Sequence, residues 1–491
     1  MIPALLFLPI VVALAVVLAR SSRLRHRLLI GTAALHSGMT ASCWLALPQP
    51  ALAGWLSLDA LGLLFLSLTS LVFLATAFYA SGYLNREDGG RRTDFIEGVP
   101  FANAPEGLFI ALLLVFLATM TLVSLCQRFG LLWVAVEATT LTSAPLIYFH
   151  RHHRSLEATW RYLLICSVGI AIALLGNFFL AVSATRHGFA PFRLTVQDLV
   201  AHGRQLHPLW LKLAFIFMLV GYGTKMGLAP LHTWKPDAYA EAPSAVSALL
   251  AGALSNCAFL AILRVLEVCV AADLASFCQP LLLAFGLLSM AVAAAFVVAQ
   301  QDYKRLLAFS SIEHMGILAI GVGLGGLGPF GALLHSLNHA LTKAALFFVT
   351  GNIAAAYQSR QISDVHGLRH LLPVSGLLWL LGFLAITGTP PFGTFASEVI
   401  ILQAAFAQHR FWLAGAYLGL LALIVVAMSR PVLTMTLGAP VADWIGKARP
   451  EAWSAILPPL ALLLLVLGLG IWLPPDLSRL IHVAARQLGG Q

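Results

Sequence analysis

The feature that most limits this chain is a succession of long apolar runs. Each is close to the roughly 20 residues needed to cross a hydrocarbon core about 30 Å thick. In lipid, every backbone amide and carbonyl must be paired inside its own segment, so runs of this length are read as transmembrane helices. Fourteen spans are expected, at approximately 2–19, 28–47, 57–80, 107–126, 129–149, 160–184, 209–229, 243–265, 277–299, 306–327, 329–354, 370–405, 411–429 and 453–473. The twelfth is long because it contains a break. The expected class is therefore an all-α polytopic membrane protein of about 14 transmembrane helices.

Composition narrows the reading. The chain of 491 residues is 60% hydrophobic and only 10% charged, against about 25% charged in soluble domains. The net charge of +9 is then topology information, not a nucleic-acid signal, because Lys and Arg accumulate in cytoplasmic loops. Arg20, Arg23, Arg25 and Arg27 follow the first run and no basic residue precedes it. This is unlike a cleaved signal peptide and places the first loop in the cytoplasm. Loops assigned to the cytoplasm hold 17 Lys and Arg, among them Lys235, Lys304 and Arg360, against eight outside, among them Arg128 and Arg264. With an even number of spans, both termini lie on the outer side of a bacterial cytoplasmic membrane.

Cofactor signals are missing from the pattern. Cys43, Cys126, Cys166, Cys257, Cys269 and Cys278 are scattered, with no CxxC pair, so they read as small buried hydrophobes. No Walker loop or GxGxxG opening a βαβ unit is found. The longest polar connections are 81–106 and 185–208, and the second contains PFRLTVQDLVAHGRQLHPLW, read as a short amphipathic helix at the outer surface. The chain divides into 1–106, 107–270, 271–430 and 431–491.

Chemistry is expected where ionisable residues interrupt apolar spans. Helix 5, GLLWVAVEATTLTSAPLIYF, carries Glu137. Helix 7 ends GYGTKMGLAPLHTWKPD, with Lys225 and, past the break, His232. Helix 10, LAFSSIEHMGILAIG, carries Glu313 and His314. Helix 11, LLHSLNHALTKAALFFV, carries His335, His339 and Lys343 four residues apart, twice, which makes one slowly winding stripe. Helix 12, LAITGTPPFGTFASEVIIL, carries Glu398 beyond Pro390 and Pro391. Arg161, Lys212 and Arg264 sit near span ends and are read as snorkelling, and Asp59 as fixing the start of helix 3. His335 and His339 have i, i+4 spacing, but the sequence places no carboxylate or cysteine beside them, so no metal site is assigned.

Helices 7 and 12 are both interrupted by Gly and Pro and lie five spans apart, as do helices 5 and 10. Interrupted spans at matching places are the pattern of inverted-repeat transporters, so helices 4–8 and 9–13 are read as two inverted five-helix repeats. Broken helices free backbone groups that water or side chains must satisfy. Glutamates beside lysines, with histidines between them, then make a proton relay.

These residues resemble the antiporter-like subunits of complex I and its relatives. GYGTKMGLAPLHTWKPDAYAEAPSAVSALLAG is similar to the family's helix 7–8 signature, and DYKRLLAFSSIEHMG, HSLNHALTKAALFFVTGNI and GTPPFGTFASE to its later motifs, in order. The stretch from Leu131 through helix 6 looks most like the F-type membrane subunit of hydrogenase 4 and of formate hydrogenlyase complexes. The resemblance implies a path from Glu137 and Lys225 through His335, His339 and Lys343 to Glu398. It departs at AGALSNCAFLAILR, where Asn256 stands in place of the family's helix-8 lysine and leaves water, His232 or His314 to link the halves. It further implies a redox-driven complex whose iron–sulfur clusters and nickel–iron or other redox centres reside in soluble hydrogenase- or dehydrogenase-type partners, beside other membrane subunits. A sodium/proton antiporter subunit, a proton-driven inorganic-carbon uptake subunit and a non-pumping structural subunit are the alternatives the sequence leaves open.

Overall fold

The computed structural model describes residues 1–87, 92–94, 98–185, 194–439 and 450–490. Arg91, Arg186, Arg193, Lys447 and Arg449, all used in the charge count, lie outside them. Among the described residues twelve helices are long and apolar enough to cross a membrane. In chain order the segments are α1 (Ile2–Leu18), α2 (Ser22–Leu45), α3 (Ala60–Glu87), α4 (Glu106–Leu125), α5 (Phe129–Ile147), α6 (His153–Thr185), α7a (Pro208–Met226), α7b (Trp234–Glu241), α8 (Ser244–Ala271), α9 (Ala275–Val297), α10 (Tyr303–Leu324), α11 (Gly328–Tyr357), α12a (Pro373–Ile386), α12b (Gly393–Ala407), α13 (Phe411–Leu437), α14 (Trp453–Ile471) and α15 (Pro475–Gln487). The fold is an all-α, multi-pass membrane protein. Of the surface helix expected before α7a, residues 191–193 lie outside the described residues; Val196–Ala201 is helical, capped by the Thr195 hydroxyl on the Asp198 amide, and a single turn follows at Gly203–Gln205.

The helices are not equally covered. The most apolar stretches of α8 and α10 are wholly buried and that of α11 is 83% buried, whereas those of α6 and α13 are 33% and 28% buried. The polar spans therefore form the centre and the purely apolar ones the lipid-facing wall, the arrangement that keeps ionisable groups out of hydrocarbon. Small residues bring the inner helices close. A Cβ on Gly221 of α7a would lie 2.5 Å from the Gly169 carbonyl of α6, and one on Gly316 of α10 would lie 2.6 Å from the Gly286 carbonyl of α9. Such contacts replace the hydrophobic drive that is lacking between helices in lipid.

The two breaks share one local design. Gly227 ends α7a with φ +87°, and Gly388 follows α12a with φ +61°, a region open to glycine without a Cβ penalty. Three residues after each stands a proline, Pro230 and Pro391, which cannot donate to a continuing helix. A third irregularity is the π turn Leu250–Leu254 inside α8, a feature that often marks functional positions.

Candidate functional site

The first centre lies between α5, α6 and α7a. Glu137 accepts from the hydroxyls of Thr140 (3.2 Å) and Ser167 (2.9 Å). The fully buried Lys225 ammonium donates to Thr140 Oγ1 at 2.7 Å and to the Tyr162 hydroxyl at 2.6 Å. Carboxylate and ammonium are thus joined through one hydroxyl, with no direct ion pair between them among the described residues. The i, i+3 spacing of Glu137 and Thr140 on α5 puts both groups on the face that meets Lys225. Tyr162 in turn lies 2.7 Å from Ser143.

The second centre is inside the α7 break and was misassigned by the charge count. Lys235, placed there in a cytoplasmic loop, is fully buried. Its Nζ donates to the Met226 carbonyl at 2.8 Å, one of the carbonyls left open where α7a ends. Gly227 makes the room, because a Cβ there would lie 2.6 Å from Lys235 Cδ. A lysine three residues past His232 in a Pro-containing segment looks like a loop charge; only the packing of α7b against α6 and α10 buries it. His232 Nδ1 is buried without a hydrogen-bond partner among the described residues.

The third centre joins α10, α11 and α12b. His314 Nδ1 lies 2.9 Å from His335 Nε2, and His335 Nδ1 lies 2.9 Å from the Ser397 hydroxyl. Glu398 follows Ser397 and is buried, with Oε1 unpartnered. Lys343 donates to the Leu307 carbonyl of α10 at 2.9 Å, and Glu313 accepts from Ser310 at 3.3 Å. His339 packs its ring 4.9 Å from that of His314, with neither nitrogen partnered among the described residues. The stripe on α11 is therefore real, and its His335 joins His314 of α10 and Glu398 of α12b in a His–His–Glu cluster. The sequence expectation that no carboxylate joins the α11 histidines is corrected: His314, His335 and Glu398 each offer a ligand atom within 4.8 Å of the others. Long-range packing of α12b onto α11 supplies the carboxylate, and no local spacing could reveal it.

Asn256 sits one residue past Ser255, where the π turn ends. Its Nδ2 donates to the Gly252 carbonyl at 2.7 Å, while Oδ1 is buried without a partner among the described residues.

Two further charges are corrected. Arg264 does not snorkel. It is 1% exposed and bonded to both Asp59 oxygens (2.5 and 2.6 Å) and to Glu267 at 3.3 Å. Asp59 also caps α3 through the Gly62 amide, so it both fixes that end and holds α3 to α8. Lys304, assigned to a loop, is buried and donates to the Ala242 carbonyl at 2.6 Å.

A cavity of about 670 Å³ opens where α7b meets α8, lined by Asp94, His150, His152, Glu241, Lys304 and Arg360 among others. Arg360 donates to the Ala240 carbonyl at 2.6 Å and to Glu241 at 3.0 Å. Burial holds the His152 imidazole below its ordinary range.

Known proteins share the family and the fold of this chain. Residues 127–424 match the family model described as NADH:quinone oxidoreductase/Mrp antiporter, transmembrane. A hydrogenase-4 component F homolog of Methylacidiphilum infernorum (isolate V4) is 37% identical over 421 residues, covering 85% of each chain. Among solved structures, a chain of the membrane-bound sulfane sulfur reductase, an archaeal respiratory membrane complex, superposes with a TM-score of 0.86 at 22% identity, covering 100% of this chain and 98% of that one. A chain of the Mrp complex from Dietzia sp. DQ12-45-1b gives 0.86 at 21% identity, covering 99% and 97%. At these identities the two structures bear on the fold alone.

Proposed function

The chain belongs to the NADH:quinone oxidoreductase/Mrp antiporter transmembrane family, and from that premise we propose that it is the proton-translocating, antiporter-like membrane subunit of a redox-driven complex of the hydrogenase 4 or formate hydrogenlyase type. The observation that carries this reading is the set of buried ionisable groups from α7a to α12b, the first of which, Lys225, is joined through the Thr140 hydroxyl to the partly buried Glu137 of α5. Ionisable groups at membrane depth are costly and mark ion pathways.

In this reading Glu137 sets the charge on Lys225 through Thr140, and Lys225 passes a proton towards the centre. Lys235, buried at the α7 break, takes the central step, so the relay crosses that break and does not depend on Asn256 or His232 as titrating groups. Asn256 Oδ1 instead offers an acceptor to a water, the usual partner of a buried polar atom left open. The path continues through Lys343 and Glu313 to His339, His314, His335 and Glu398. The cavity at Glu241, Lys304 and Arg360 is the cytoplasmic intake. Helices 4–8 and 9–13 act as the two inverted repeats, with one break each, in a chain whose termini face outward from the cytoplasmic membrane.

The subunit carries no redox centre of its own. Iron–sulfur clusters and a nickel–iron or other catalytic centre sit in soluble partners, and neighbouring membrane subunits cover its flank. Support for a covered flank comes from Glu137, which is only partly buried on a wall where Val134, Leu141, Leu164 and Val168 are 48–62% exposed. A partly bare carboxylate in lipid is unfavourable, whereas against a second polar subunit it is not.

The test is purification of the tagged chain in mild detergent with mass spectrometry of its companions. Hydrogenase- or formate-dehydrogenase-type subunits support the redox reading. Companions that are all ion transporters, or a carbonic-anhydrase-like protein, overturn it in favour of an antiporter or an inorganic-carbon uptake system.

A further inference from the structure

The His314–His335–Glu398 cluster has the makings of a metal site that proton transfer alone does not require. Its three members come from three different helices, α10, α11 and α12b, so their backbones are fixed independently. All three side chains are buried, and their ligand atoms already lie within 4.8 Å of one another. Tetrahedral bonds of 2.0–2.1 Å put ligand atoms about 3.3 Å apart, and the two imidazoles are at 2.9 Å. Modest rotation of Glu398 therefore closes the set. Two imidazoles and one carboxylate, with a fourth position open, is a donor set that suits Zn²⁺.

Two independent features point the same way. Glu398 Oε1 and His314 Nε2 are buried with no hydrogen-bond partner among the described residues, so the site holds unspent polar capacity. His335 is also oriented as a ligand would be: its Nδ1 is engaged by Ser397 at 2.9 Å, which leaves Nε2 to face His314. Metal-bound histidines are commonly fixed by such an outer partner. The cluster is not sealed either. Glu398 Oε2 lies 2.0 Å from where a Cβ on Gly388 would be, and Gly388 is a partly exposed residue of the α12 break, followed by exposed Pro390 and Pro391.

We propose that His314, His335 and Glu398 bind one Zn²⁺-type dication, and that its binding blocks the α10–α11–α12b end of the path by occupying the atoms that would carry the proton. The metal site stands on geometry alone; the block rests on the transport reading. His339 lies beside the cluster but outside the ligand set, which makes it the control.

The experiment uses the complex purified with this chain, equilibrated with Zn²⁺ in a chelator buffer, washed, and analysed for zinc per complex. Wild type is expected to hold one zinc more than His335→Ala or Glu398→Gln, and His339→Ala to hold as much as wild type. Ser397→Ala, which removes only the outer partner, should weaken binding about 10–100-fold. Equal zinc in all variants, or a loss with His339→Ala as large as with His335→Ala, overturns the site. Proton uptake by membrane vesicles is then measured with and without zinc. Inhibition of wild type at the zinc concentration that fills the site supports the block. A filled site with unchanged proton uptake overturns the block and leaves the metal site standing.

Discussion

Thr140→Val isolates the link between the first two members of the path without removing either. The Thr140 hydroxyl donates to Glu137 at 3.2 Å and accepts from Lys225 at 2.7 Å. Valine keeps the branched shape of this buried residue and deletes only the oxygen. Glu137 then retains Ser167 and Lys225 retains Tyr162, so each charge loses one of two partners. A hydrogen bond to a charged group contributes about 1.5–3 kcal/mol, and each 1.36 kcal/mol on a barrier is tenfold in rate. Proton transport should fall roughly ten- to a hundredfold, with the complex still assembled. The assay is acidification of inverted membrane vesicles, at complex content matched by native gel. Thr140→Ser restores the oxygen and should recover most of the rate. Wild-type transport by Thr140→Val, or equal loss in Thr140→Ser, would refute the bridging argument.

Lys235→Met keeps the length of the side chain but removes the donor to the Met226 carbonyl and the charge inside the α7 break; vesicle acidification should be lost while the complex assembles, and Lys235→Arg should not restore it, since a guanidinium does not release its proton. Gly388→Ala puts a Cβ 2.0 Å from Glu398 Oε2 at φ +61°, so detergent-solubilised complex should show a lower melting temperature, the left-handed conformation alone costing about 1–2 kcal/mol. Arg264→Met strands the half-buried Asp59 and the buried Glu267, and removing one partner of a buried pair costs about 3–5 kcal/mol; the double change Arg264→Met with Asp59→Asn should recover part of that loss in the same thermal assay.

Much of the fold could be read from the chain because lipid allows so few solutions. The apolar runs, the two G-x-x-P breaks and the titratable residues on spans 5, 7, 10, 11 and 12 are local features, and each lies in the helix where the pattern put it. What the pattern hid is what depends on packing between distant segments. Lys235 looks like a loop charge until α7b packs against α6 and α10, and Arg264 like a snorkelling end charge until Asp59, 205 residues away, is brought against it. Thr140 and Tyr162 carry no signal of their own, since hydroxyls are common in membrane helices, and only the position of Lys225 gives them a role. The approach of Glu398 to His335 spans 63 residues and a helix break, so the i, i+4 spacing on α11 could not show it.

The central claim is that protons cross the membrane through the Lys225 centre, driven by the reaction of the attached complex. The most direct measurement is the number of protons taken up per electron pair in inverted vesicles, for wild type and for Lys225→Met at equal redox turnover. The account predicts a lower ratio in the variant, with the contribution of this subunit gone. An unchanged ratio would contradict it and leave the chain as a structural member of its complex.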